Sequence, residues 1–241
     1  MTTLYEIFQT QGRSGVETAA PKMFGEDATN KLLTFAIVGK HNEWALEISN
    51  QLTEDQKSVL AHHALEMACY ATNEEMMEHV LSWGHTQSDQ LEHYVLFLLH
   101  SDGGSVHGLK LLLNSLTTPE SDLSKALVFS CKLSAHPHHQ EMIEGICKYA
   151  NPLSNEKLPL WWAIQSENPA LLPGMMPRLL TLPNAQQAKD ELLALPLKDH
   201  VRANFLKIWS EAEQLAPIWE KNRLQEELQE ISNRSNKKRA I

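Results

Sequence analysis

A chain of 241 residues that is 42% hydrophobic has enough apolar material for one large domain or one elongated array. Its formal charge of −9 argues against a nucleic-acid partner, because phosphate binding needs a basic surface. The three cysteines, Cys69, Cys131 and Cys147, are odd in number and widely spread, which suits reduced thiols better than a disulfide framework.

Residues 1–29 begin with an amphipathic piece, "TLYEIFQ", and continue in a Gly/Ser/Thr-rich stretch. This predicts either a cap over the following element or a partly free arm. The basic segment followed by an apolar run that marks a secretory leader is missing, and no apolar stretch approaches the ~20 residues of a membrane span. With reduced thiols, these features point to a cytoplasmic protein.

From residue 30 onward strand signals are almost absent, and apolar residues recur at three- and four-residue spacings. The helical runs are short and need neighbours. Aligned on Ala36, Ala68, Leu99, Ser130 and Ala163, five units follow one another at a nearly constant interval of about 32 residues. Each reads as helix, polar break, second helix and polar connector. The connectors "LTTPESD", "NPLSNEK" and "TLPNAQQ" supply helix-stopping residues. Ser121 or Asp122 is placed to cap the fourth unit, and Pro159 to sit in the first turn of the fifth. Leu46, Ile48, Val80, Leu81, Leu111, Leu112, Ile143, Ile146, Met175 and Met176 are expected to fill the layers between units.

These residues carry a resemblance to the ankyrin-repeat family, over roughly residues 30–183. "AIVGKHNE" (Ala36–Glu43) is similar to that family's first-helix ending, with Lys40 in the glycine place. "HVLSWG" matches its closing leucines and helix-ending glycine at Gly84; "LLLNSL" keeps the leucines without the glycine. The Thr-Pro-Leu-His opening is missing, and the fourth unit has extra residues around "HPHH". The resemblance implies an all-α fold, an α-solenoid of about five ankyrin-like helix-turn-helix repeats with a C-terminal helical cap. A generic solenoid of helical hairpins is the alternative. The expected divisions are an N-terminal arm or cap (1–29), the repeat array (30–183), a helical cap (184–232) and a basic tail (233–241).

In residues 184–241, helices are expected to break near Pro196 and Pro217. Leu206, Trp209, Leu215, Ile218 and Trp219 are expected to cover the edge of the last unit. Lys237, Lys238 and Arg239 form the basic tail, read as a frayed helix end. Just before it, "EELQE" (Glu226, Glu227 and Glu230) resembles the glutamate-rich export signal of type IV secretion effectors of intracellular bacteria. That resemblance implies secretion into a host cell and action on a host protein.

The segment from His62 to His85 holds four histidines, Cys69 and four acidic residues, so it raises the question of a metal. The metal reading takes His62, His63, Cys69, His79 and His85, with His136, His138 and His139 of "HPHH" as a second candidate. Tight ligand pairs are lacking, and adjacent His62 and His63 should point apart on a helix. Structural or solvated histidines are therefore expected, and neither a metal nor another cofactor; for His41 the ankyrin resemblance implies a structural histidine that bonds loop backbone. "SDGGS" (Ser101–Ser105) reads as a turn between helices. The cysteines fall at core-like helical positions, and no enzyme motif is present.

Three functions remain: a non-enzymatic protein-interaction scaffold, an inhibitor or immunity-type regulator, and an enzyme with a Cys/His or metal centre near "HPHH". The scaffold is preferred, as a monomer. Glu43, Glu74, Glu75, Glu78, Asp89, Glu92 and Asp102 favour a protein partner with a basic surface, or form a solvated face. Trp161 and Trp162 are adjacent on one helix, so one is expected to face outward. The partner surface is assigned to first helices and their preceding connectors: His62, His63, Glu66, Tyr70, Glu92, His93, Trp161 and Trp162. Ala68→Trp should overpack the inter-helix layer, lowering the melting temperature or unfolding the array. A melt equal to wild type would refute the placement of Ala68.

Overall fold

Thr3 starts the first helix with a reciprocal cap. Its hydroxyl accepts the Glu6 backbone N–H at 3.2 Å, and the Glu6 carboxylate accepts the Thr3 N–H at 2.7 Å. The helix, α1 (Leu4–Phe24), bends at Gly12, where φ is 65°. It buries Ile7, Val16 and Ala20, and residues 4–29 are helical across the stretch read as Gly/Ser/Thr-rich. The computed structural model describes residues 3–100, 104–133, 138–166, 168 and 170–239.

Helices then alternate with short breaks: α2 (Ala28–Val38), α3 (Asn42–Asn50), α4 (Glu54–Tyr70), α5 (Glu74–Ser82), α6 (Leu91–His100) and α7 (Val106–Leu116). They continue as α8 (Ser124–Ser130), α9 (His139–Cys147), α10 (Ser154–Gln165), α11 (Leu171–Leu179), α12 (Ala185–Leu193) and α13 (Asp199–Arg239). Among the described residues there is no strand, so the protein is all-α. No helix there is long and apolar enough to cross a membrane. The chain divides into two compact units, Met1–Ala126 and Leu127–Ile241, with the division inside α8.

In the first unit α2 packs on α3, α4 on α5, and α6 on α7. The first helices α2, α4 and α6 are successive neighbours, as are the second helices α3, α5 and α7, while α1 covers α2. The breaks repeat in detail. Lys40, Thr72 and Gly104 stand at the same point of successive helix pairs and have φ values of 55°, 50° and 71°. The residue after each is the N-cap of the second helix: His41, Asn73 and Ser105. Both His41 and Asn73 donate their backbone N–H to the carbonyl five residues back, at Ala36 and Ala68, at 2.8 Å. The left-handed conformation lets the chain reverse while closing that bond. Lys40 thus fills the place that the resemblance assigned to glycine, and Gly84 (φ 74°) follows α5 as expected.

Burial corrects several expectations. Val80, Leu112, Ile143, Ile146, Met175 and Met176 are buried, but Leu46, Ile48, Leu81 and Leu111 are only half-buried. In α3 the buried positions are Trp44, Ala45 and Ser49, because Trp44 turns inward against Phe8 and Phe35.

In the second unit α11 packs against α9, α10 and α13. Gly174 permits the α9 contact: a Cβ there would stand 2.8 Å from Ile143 and 2.9 Å from the Gln140 carbonyl. The second-helix caps His138 and Ala170 lie one repeat length apart, so the spacing persists within this unit. Asp122 caps α8, accepting the Ser124 N–H at 3.0 Å, while Ser121 instead accepts the Thr118 N–H. Pro159 lies inside α10 and not in its first turn. α12 ends before Pro196, but α13 runs through Pro217. An interior proline removes one hydrogen bond; the helix resumes beyond it with Trp219, Glu220 and Lys221. Among the described side chains of α13, Phe205, Trp209 and Ala212 are buried, whereas Leu206, Leu215 and Ile218 are exposed and Trp219 is half-buried. The backbone of Lys237–Arg239 is helical; their side chains lie outside the described residues.

A β-branched residue at positive φ is strained, and glycine relieves a left-handed residue of roughly 1 kcal/mol net of its greater freedom in the unfolded chain. Thr72→Gly should therefore stabilise the protein by about 1 kcal/mol in chemical denaturation. A loss of stability would refute the conformation assigned to this turn.

Candidate functional site

Helix spacing places His62 and Glu66 one turn apart on α4, and the α4–α6 contact brings His93 against them. His62 Nε2 is 3.1 Å from Glu66 Oε1, and His93 Nε2 contacts the same oxygen. His63 Nδ1 lies 3.3 Å from Glu66 Oε2. The sequence expectation that His62 and His63 diverge thus fails at their tips. Glu66 is four residues from one and three from the other, and both spacings reach it.

The two key imidazoles, at His62 and His93, are stacked with ring centroids 5.6 Å apart and an interplanar angle of 20°. They occupy matching places in successive helix pairs. The other nitrogen of His62, Nδ1, is 2.8 Å from the hydroxyl of buried Tyr94. Burial, and then the charge of Glu66, push the Tyr94 phenol well above its ordinary pKa, so it remains a neutral hydroxyl. His93 also meets Phe97 edge-on at 4.8 Å. The result is one carboxylate, 13% exposed, ringed by three imidazoles, with an aromatic floor. Among the described residues, His62, Glu66 and His93 form the one cluster whose ligand atoms all lie within 4.8 Å.

The other predicted site residues have different roles. Tyr70, at the end of α4, is exposed. Glu92 turns to the chain itself: it accepts the Lys125 backbone N–H at 2.7 Å and pairs with the Lys125 ammonium at 3.6 Å. Trp161 and Trp162 lie on α10 in the second unit, the first half-buried and the second exposed, as expected for adjacent helical positions. Tyr94 was not singled out in the sequence; the signal available was its place one repeat length after His62.

Several histidines and acids proposed for binding are internal ties. His79 bonds Ser49 Oγ at 2.8 Å and meets Trp83 edge-on; burial, then Lys57, lower its pKa. His85 pairs with Glu54 at 3.2 Å. His41 packs its ring against Phe8 at 4.7 Å, inside an aromatic cluster, where loop-bonding was expected. Glu74 accepts from Ser105, and Glu75 from Asn42 at 2.5 Å, each contact joining neighbouring helix pairs. In "HPHH", buried His139 accepts from Asn168 at 2.6 Å and His138 precedes α9; His136 lies outside the described residues. Asp102 and the first three residues of "SDGGS" also lie outside them.

The cysteines are buried, as their core-like positions implied. Burial pushes the Cys131 thiol up to about 12, an effect that Ser130 partly offsets. It drives Cys69 and Cys147 higher still, aided by Glu66 and by Cys131 respectively. A thiol so placed carries almost no thiolate at neutral pH and is a poor nucleophile.

No family model, curated protein or solved structure matches this chain.

Cys69, Cys131 and Cys147 should resist a disulfide-exchange reagent such as DTNB in the native state, and all three should react once denaturant unfolds the chain. Rapid reaction of any one in native protein would contradict the burial assigned to it.

Proposed function

We propose that the chain is a non-enzymatic protein-interaction scaffold, an α-solenoid of ankyrin-like repeats that holds a partner protein on its first-helix side. The observation that carries this reading is a repeated surface position. Val38 and Tyr70 end successive first helices, one repeat length apart, and are 41% and 51% exposed. Large apolar groups left outside at the same point of consecutive repeats form the kind of row that a partner covers. Tyr70 offers contact area with few rotors to freeze, and tyrosine is enriched at energetic hot spots. The periodic turns at Lys40, Thr72 and Gly104 support the repeat reading, since they make each helix pair a copy of the last.

Exposed Trp162 is a second contact candidate, in the other unit. The buried, protonated thiols support a binding role over Cys/His chemistry. Of the acids read as a surface for a basic partner, Glu74, Glu75 and Glu92 are engaged within the chain, so the contact is proposed to be aromatic and apolar more than electrostatic. Export into a host cell rests on the "EELQE" resemblance alone, because the side chains of Glu226, Glu227 and Glu230 lie outside the described residues.

Affinity capture with mass spectrometry, followed by titration of the purified partner, tests the proposal. Val38→Ser with Tyr70→Ala should weaken binding at least tenfold, about 1.4 kcal/mol, with the melt nearly unchanged. Absence of a saturable protein partner, or equal affinity in this variant, would overturn it.

A further inference from the structure

We propose that His62, Glu66 and His93 form a binding site for a divalent transition-metal ion of the zinc type. The ligands would be the Nε2 atoms of the two histidines and the carboxylate. This inference goes beyond the protein-interaction reading and does not depend on it.

Geometry is the first support. Imidazole nitrogen and carboxylate oxygen bind zinc at about 2.0–2.2 Å, so neighbouring ligand atoms in an octahedral or tetrahedral set stand about 2.8–3.6 Å apart. The His62 Nε2–Glu66 Oε1 separation is 3.1 Å, and His93 Nε2 reaches the same carboxylate. Both imidazoles already direct the nitrogen farther from the backbone at one oxygen. Only small side-chain movements are needed to admit an ion between the three.

The surroundings match what a bound ion requires. A ligating histidine needs its second nitrogen held by a partner, so that the tautomer and ring direction are fixed. His62 Nδ1 has the Tyr94 hydroxyl at 2.8 Å, on a residue buried to 0% exposure. A neutral phenol can donate to Nδ1 when Nε2 carries the proton, and accept from Nδ1–H when Nε2 binds an ion. One hydroxyl therefore serves both states. His63 Nδ1, beside Glu66 Oε2, orients the carboxylate from its other side.

The ligand chemistry selects the ion class. Two imidazoles and one carboxylate suit zinc or iron(II) and their neighbours, whereas calcium and magnesium prefer all-oxygen sets. Cys69 lies near by in sequence, but its buried thiol stays protonated and outside the set. Three protein ligands leave at least one coordination position for water or for a donor from outside. Half of the His62 side chain faces solvent, at 47% exposure, which gives an ion a path in.

The site is a product of repetition. His62 and His93 are separated by one repeat length, so stacking α6 on α4 superposes them. Glu66 then needs only to lie one turn beyond His62 on the same helix.

The test uses the untagged full chain, stripped with a chelator and titrated with Zn2+ by calorimetry, with Co2+ absorption as a spectroscopic probe. The expected result is one Zn2+ per chain, visible d–d bands with Co2+, and a melting temperature raised by Zn2+ and restored by chelator. Glu66→Gln and His93→Ala should each weaken binding by more than about tenfold. His63→Ala should weaken it less, and His85→Ala should leave it unchanged. Affinity should fall on acidification, because a protonated imidazole has no lone pair to give. If a ligand variant loses its native melt, His93→Gln and the Zn2+-dependent melt of wild type decide the matter. Wild-type protein that neither retains Zn2+ nor melts higher with it overturns the proposal. Binding that survives both Glu66→Gln and His93→Ala also overturns it.

Discussion

Asn73 sets the register on which the first unit depends. Its side chain is almost fully buried at 3% exposure, and a buried amide without partners is costly. Here every group is used. Nδ2 donates to the Ile37 carbonyl at 3.0 Å and to Asn42 Oδ1 at 2.8 Å, while Oδ1 accepts the Met76 N–H at 3.3 Å. The first two bonds reach the preceding helix pair, and the third caps α5 of its own pair. A slip of α4 and α5 along α2 and α3 by a single residue would strand the amide, so this one side chain locks two helix pairs in step. Lys40 adds a weaker strut, its ammonium 3.4 Å from the Thr72 carbonyl.

Once the register is locked, side chains remote in sequence meet by translation along the stack. The His62–His93 pair, the Ser105–Glu74 bond and the Asn42–Glu75 bond all join residues about one repeat apart. Stacked helix pairs can thereby build a polar site from simple i, i+4 spacing on one helix and a single residue on the next. The cost falls on Glu66, a carboxylate with 13% exposure. Its negative charge is felt by Tyr94 and Cys69, both already destabilised as anions by burial, and is met by three imidazoles. That distribution of charge keeps the phenol and thiol neutral while holding the carboxylate ready for a cation or for N–H donors.

The second unit uses other devices. Close approach of α11 to α9 rests on Gly174, and the buried face of α13 on Phe205 and Trp209, whose rings meet nearly edge-on at 5.5 Å. Trp209 also donates to Glu213 at 2.8 Å and lies under the Lys189 ammonium at 5.0 Å. The large aromatic is therefore satisfied at its polar edge as well as buried on its face.

The sequence by itself determined the helical character and many of the breaks between helices, because these are local properties. Apolar spacing of three and four residues, capping residues and a constant repeat length are written in order along the chain, whereas the glycine place at Lys40 came only from the family resemblance. It also marked the cysteines as core positions. What it did not determine was direction and depth. Trp44 turns inward while Leu46 and Ile48 stay half-buried, Phe205 and not Leu206 faces the core, and α13 continues through Pro217. These outcomes depend on which neighbour each helix face meets. The candidate site divides in the same way. His62, Glu66 and His93 were all visible as residues of first helices, and the sequence already grouped them on one surface. Their convergence on one carboxylate oxygen, with Tyr94 behind it, was decided only by the stacking of α6 on α4, since a distance between side chains on different helices is a property of packing and not of spacing along the chain.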